Sequence, residues 1–179
     1  MKTVIKNGRL LDKKNNFHMT KADILIENGV IKKIGENINE EASRIIDVEN
    51  SIVSPGFIDI HVHCYPSENT NGVFPDEIGV KKGVTTIVDA GTAGGETIED
   101  FVENVIKKSK TRVYSLLNIS SMGLKIKSEL SDMKNIDKEK IKEALNKYPD
   151  LIVGLKARAS GSVVKENGIK PIAEGKKIA

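Results

Sequence analysis

Four apolar runs rich in Ile, Val and Leu begin at Phe57, Val84, Arg112 and Leu151, separated by 27, 28 and 39 residues. This is the spacing of successive βα units in a parallel sheet, where each strand needs a crossover long enough to hold a helix before the next can pair beside it. The segments between the runs carry helix signals. Residues 75–82 read as a helix closed by Gly83, which suits the left-handed C-terminal cap. Thr97-Ile98-Glu99-Asp100 has the form of a capping box with Asp100 as the reaching-back residue. Ile98, Phe101, Val102, Val105 and Ile106 then make an i, i+3, i+4, i+7, i+8 stripe. A further helix over 137–148 is stopped by Pro149, and a last one begins near Pro171.

Before Gly56 the period is different. Residues 3–6, 22–27, 30–34 and 44–48 are short β-like runs, and the Asn7-Gly8 and Asn28-Gly29 pairs read as hairpins or tight strand connections. A small antiparallel β module is expected over 1–55, followed by an α/β unit over 56–179. A complete (β/α)₈ barrel takes about 250 residues. Only 123 follow Gly56. The expectation is therefore the N-terminal half of such a barrel, four βα units long, with the chain ending inside the fourth helix.

Composition narrows the function classes. An apolar share of 39% is ordinary for a globular chain and excludes a disordered or collagen-like one. Twenty-eight basic and 25 acidic residues are interspersed, so no basic footprint for nucleic acid is visible. The single cysteine, Cys64, has no intrachain disulfide partner, and neither a leader nor an 18-residue apolar run is found. A soluble, cytoplasmic protein without nucleic-acid or membrane partners is expected.

His61-Val62-His63 is the sharpest local signal. Residues two apart on a strand project from one face, so both imidazoles can converge at the strand's C-terminal end, which in a barrel is the mouth of the active site. Two imidazoles are good ligands for Zn²⁺, although a complete site needs more, and a His-x-His pair taken alone is more often incidental than metal-binding. Lys156 closes the fourth strand. Its ordinary reading is snorkelling or ion pairing, since an ammonium cannot bind a cation; burial beside positive charge makes the neutral amine accessible instead. Arg158 shares the face of Lys156 if the strand persists, and either forks a substrate carboxylate or pairs with a neighbouring acid. Asn118, ending the third strand, either hydrogen-bonds substrate or ties down a loop. Asp89 either supports a ligand histidine or forms a turn before Gly91. Asp59 has the inward parity of His61 and His63 and suits a buried hydrogen-bonding role below them. Cys64 alternates away and reads as packing, His18 as an exposed loop residue, and the lysine runs 107–110 and 138–140 as solvated helix faces.

Ser54-Pro55-Gly56-Phe57-Ile58-Asp59-Ile60-His61-Val62-His63, after a β-rich module, resembles the amidohydrolase superfamily. Gly83-Val84-Thr85-Thr86-Ile87-Val88-Asp89-Ala90-Gly91-Thr92 and Val153-Gly154-Leu155-Lys156-Ala157-Arg158 are similar to its dihydroorotase-like and deacetylase branch. The resemblance implies a (β/α)₈ TIM barrel beside a small β-sandwich, with a binuclear zinc site. His61 and His63 match the first-strand ligands. Lys156 matches the lysine that adds CO₂ and, as a carbamate, bridges the Zn²⁺ ions. Hydrolysis of a non-peptide C–N bond is implied, with deacylation of an N-acyl compound first and dihydroorotase- or allantoinase-like opening of a cyclic amide as the alternative. A small-molecule amide and a homo-oligomeric state are the implied partners. The histidines of the fifth and sixth strands, the general-base aspartate of the eighth and the strands completing the sandwich are expected beyond Ala179.

The rival expectation is an inactive half-barrel whose open strand edges favour association. For the 179-residue chain alone, metal analysis should find well below two ions per subunit and amidase assays negligible turnover. Two tightly held ions, with turnover lost in His61→Ala, would overturn this.

Overall fold

Contacts separate Met1–Pro55 from Gly56–Ala179 in the computed structural model, which describes residues 1–14 and 16–178. The first unit holds β1 (Lys2–Leu10), β2 (Lys21–Glu27), β3 (Val30–Gly35), β4 (Arg44–Asp47) and β5 (Ile52–Val53). They form one five-stranded sheet in the order β3-β2-β1-β4, with β5 also on β1. The expected antiparallel module is corrected to a mixed sheet. β1, β2 and β3 are antiparallel neighbours, but the chain crosses after β3 to the far side of β1, so β4 and β5 run parallel to it. The described strands of this unit make a single sheet, not the two layers of a sandwich.

The two Asn-Gly pairs behave differently. Asn28 and Gly29 both have positive φ, 51° and 80°, the signature of the tight turn that matches strand twist, and they join β2 to β3. Asn7-Gly8 is no connection. It lies inside β1, where Asn7 at φ 61° marks a bulge and the pairing with β2 slips between Ile5 and Gly8. The amide freed there donates to Asp23 Oδ1 at 2.8 Å. Asp23 also accepts from the Ile38 amide and from Lys6. A local sequence pattern for a turn was thus overridden by a buried carboxylate on the next strand.

The second unit holds β6 (Phe57–Val62), β7 (Val84–Gly94), β8 (Arg112–Asn118) and β9 (Ile152–Lys156), all parallel and in sequence order. Between them lie α1 (Pro75–Ile78), α2 (Ile98–Asn104) and α3 (Lys138–Lys147), with α4 (Gly161–Val164) and α5 (Lys170–Ile178) after β9. The stripe predicted on α2 is the buried face: Ile98, Phe101, Val102 and Val105 pack with Ile87, Leu117, Ile119 and Ile141. Each such side chain contributes about 1.5–3 kcal/mol on full burial.

Two local expectations are corrected. The helix over 75–82 breaks at Gly79 into α1 and a 3₁₀ turn, where the Val80 amide donates to Thr111 Oγ1 at 3.1 Å, an approach that the absence of a Cβ on Gly79 allows. Asp137 caps α3 through the amides of Glu139 and Lys140. The Thr97 box does not form: the Thr97 hydroxyl turns back to the Gly94 amide, while Asp100 accepts from Tyr65 and Asn104. α4 had no recognised signal. Among the described residues no helix is long and apolar enough to cross a membrane.

The sheet's outermost strands carry bare apolar side chains. Phe57, Ile58 and Ile60 on β6 and Val153 on β9 are exposed, Ile60 at 73%. Among the described strands, β6 and β9 each have one neighbour.

Asp23 supplies a test of the first unit. Burial alone would raise its pKa, but the Lys6 contact and the amides of Asn7 and Ile38 outweigh burial and hold it below the usual value. A carboxylate depressed in this way stabilises the fold fully above the unfolded-state value near pH 4, and the contribution disappears as pH falls through the lower folded-state value. Asp23→Asn should lower stability by about 1–3 kcal/mol at neutral pH. Urea unfolding followed by circular dichroism should show that gap at pH 7 and its closure in strong acid.

Candidate metal centre

The four parallel strands point their C-terminal ends the same way, and in open α/β sheets that end is where ligands bind. The register places the residues of interest there: Val62 pairs with Asp89, Asp89 with Ser115, and Asn118 with Lys156. His61 and His63 leave the end of β6 with ring centroids 5.9 Å apart and ring planes nearly perpendicular. Beyond Lys156 the chain is no longer strand, so Arg158 reaches this end from a loop and not through strand parity.

Asp89 is completely buried. Its Oδ1 accepts from the Thr92 amide at 2.6 Å, and its Oδ2 from the Cys64 amide and the Thr92 hydroxyl, each at 2.8 Å. The Thr92 oxygen also lies 2.8 Å from His63 Nδ1. A hydroxyl carries one proton, and here it goes to a carboxylate that only accepts. The Thr92–His63 contact must therefore be donated by Nδ1–H, which assigns the tautomer and leaves the Nε2 lone pair free. Burial holds the His63 pKa below the ordinary histidine value; Asp89 opposes that, and His61, Lys156 and Arg158 reinforce it. A neutral imidazole with Nε2 open is the form that binds metal.

Gly91 makes room for Lys156. Its φ of 81° belongs to the left-handed region, and a Cβ there would lie 2.5 Å from Lys156 Cβ. Asn118 braces this turn: its Nδ2 donates to the Gly91 carbonyl, its Oδ1 accepts the Ser120 amide, and the side chain is buried. Arg158 meets Glu129 through Nε–Oε1 at 3.0 Å and Nη2–Oε2 at 2.7 Å.

Other candidates fall elsewhere. Asp59 is exposed, which corrects the buried role expected of it, because β6 has a strand on one side alone; its Oδ1 accepts the His61 amide at 3.0 Å. Cys64 is buried in the core, and burial together with the charge of Asp89 pushes its thiol pKa up, away from ligation. His18 is half-buried in the turn before β2. Thr92 and Glu129 were missed by sequence reasoning. Thr92 has a usable signal, standing three residues after Asp89 where a side chain-to-backbone turn would form; Glu129 has none in a stretch of mixed polarity.

The donor chemistry fits a metal in part. His61, His63 with its Nε2 open, and Lys156 share one end of the sheet. Among the described residues no group of three His, Cys, Asp or Glu is placed to hold an ion.

A deacetylase of Enterococcus faecalis is 39% identical over 176 residues, which is 98% of this chain and 46% of that protein. A dihydroorotase of Streptococcus thermophilus is 33% identical over 141 residues, 77% of this chain and 31% of its own length. The chain belongs to the amidohydrolase superfamily. The solved structure of a dihydroorotase superposes with a TM-score of 0.90 at 34% identity, covering 99% of this chain and 48% of that one. That of an adenine deaminase gives 0.85 at 38%, covering 98% and 46%. No family profile matches. This amidohydrolase relative spans less than half the length of each of these proteins.

Thr92→Val should free the His63 tautomer and weaken Zn²⁺ or Co²⁺ binding by about 10–100-fold. The lost hydroxyl should also cost about 1–3 kcal/mol of stability. Thr92→Ser keeps the hydroxyl and should bind metal as the parent does. Calorimetric metal titration of the three chains reads this out, and equal affinities would refute the relay.

Proposed function

We propose that this chain forms the first half of the (β/α)₈ barrel of a zinc-dependent amidohydrolase that cleaves a non-peptide C–N bond, deacylating an N-acyl compound. The observation that carries the reading is the His63 ring held through Nδ1 by Thr92 and Asp89, beside His61 and Lys156 at the C-terminal ends of parallel strands. The bare apolar side chains on β6 and β9 support an unfinished barrel. Its 39% identity to proteins named deacetylase favours deacylation. The TM-score of 0.90 to a dihydroorotase favours cyclic-amide opening as the second reading.

His61 and His63 would hold one of two zinc ions through ring nitrogens, and Lys156, after adding CO₂ as the neutral amine and releasing a proton, would bridge them as a carbamate. When bound, the metal supplies Lewis acidity toward the amide carbonyl and lowers the pKa of water. The chain's own residues do the positioning. Asp89 and Thr92 fix the ring of His63, and Gly91, braced by Asn118, gives the Lys156 stem its path. The single buried Cys64 suits a cytoplasmic setting.

The test is a hydrolysis screen of N-acyl amino acids and cyclic amides, with and without added zinc, on the longest protein whose reading frame begins with this chain. Zinc-dependent release of the acyl group, abolished by His63→Ala, is expected. Turnover of cyclic amides alone would favour the second reading, and no turnover by a zinc-replete protein would overturn both.

A further inference from the structure

Glu129 and Arg158 make an unusual pair. Among the described ion pairs it is the one whose acid has no exposed side-chain surface, while 46% of the Arg158 side chain remains exposed. A carboxylate this deep is unfavourable unless its charge is matched, and apolar residues of similar volume commonly replace such pairs without loss of stability. Packing alone therefore gives little reason for it. Its geometry offers another. The two contacts use the Nε and Nη2 side of the guanidinium, one N–H to each carboxylate oxygen. Three N–H donors remain, and the Nη1–Nη2 end of the fork is open.

The mount is rigid. Asn135 Nδ2 donates to the Glu129 carbonyl, and Asn167 Nδ2 donates to the next two carbonyls, those of Leu130 and Ser131. Leu130 itself is fully buried in the core. Glu129 lies in the connection from β8 to α3 and Arg158 two residues past the end of β9, so both stand at the strand ends that carry His63 and Lys156.

We propose that Glu129 is a positioning residue that aims Arg158 as a carboxylate clamp, and that the substrates are N-acyl compounds bearing a free carboxylate. The inference rests on the deacylase reading above and adds its substrate class. A guanidinium fork pairs with a carboxylate through two parallel bonds, which a lysine point charge cannot reproduce.

The experiment compares an N-acetyl amino acid with its uncharged carboxamide on the zinc-loaded protein used in the hydrolysis screen. The acid should be preferred in kcat/KM by about 10–100-fold, the range of a charge-assisted bidentate contact. Arg158→Lys should lose most of that preference. Glu129→Gln should raise KM for the acid by about tenfold with little change in kcat, the signature of lost ground-state positioning. Single variants that leave a buried charge unmatched risk unfolding, so the double variant Glu129→Leu/Arg158→Met removes both partners together, with thermal melting as the check on folding. It should bring the acid-to-amide ratio to about one. A folded double variant that keeps the preference, or a parent that hydrolyses acid and carboxamide equally, overturns the clamp and leaves deacylation standing. Failure of the parent to hydrolyse either compound overturns both.

Discussion

The buried carboxylate of Asp89 is the contact on which the rest of the strand-end structure depends. Among the described residues it has no salt-bridge partner; three hydrogen bonds, from the Cys64 amide, the Thr92 amide and the Thr92 hydroxyl, replace water around it. Burying a carboxyl group this way is favourable only when its hydrogen-bonding capacity is filled. Filling it fixes several things at once. The Cys64 amide locks the chain leaving β6, the Thr92 amide sets the turn after Ala90, and the hydroxyl determines which nitrogen of His63 is free.

That turn then positions the neighbouring strand ends. Gly91 adopts a left-handed conformation that leaves its α-carbon bare against Lys156, and Asn118 holds its carbonyl from β8. The three sites read separately from sequence, on β6, β8 and β9, are joined through the bulged C-terminal end of β7. The weak point lies at β6, which ends between the two histidines and among the described strands is supported by β7 alone. The ring of His63 is held by its hydrogen bond to Thr92, whereas His61 is exposed and gains its definition from the backbone contact with Asp59.

Much of the architecture was legible beforehand. The spacing of apolar runs placed all four parallel strands, with β7 running five residues past its expected end. The stripe on α2 named the face that is buried. The failures share a cause. Asn7-Gly8, the Thr97 box and Gly79 are local patterns with ordinary local outcomes, and each was redirected by a group distant in sequence: Asp23 for the first, Tyr65 drawing away Asp100 for the second, Thr111 for the third. Local propensity is worth about 1 kcal/mol and yields to a buried polar group in need of a partner.

The sequence by itself determined the period of the strands, the side of β6 from which His61 projects, and the presence of Lys156 at the end of β9, because these follow from alternation and spacing along one chain. The tertiary structure alone decided which nitrogen of His63 is available, that Asn118 braces a turn, and that Arg158 is fixed by Glu129 29 residues away. Those outcomes depend on burial, which removes water as an alternative partner and leaves each polar group to the neighbours that folding brings within reach.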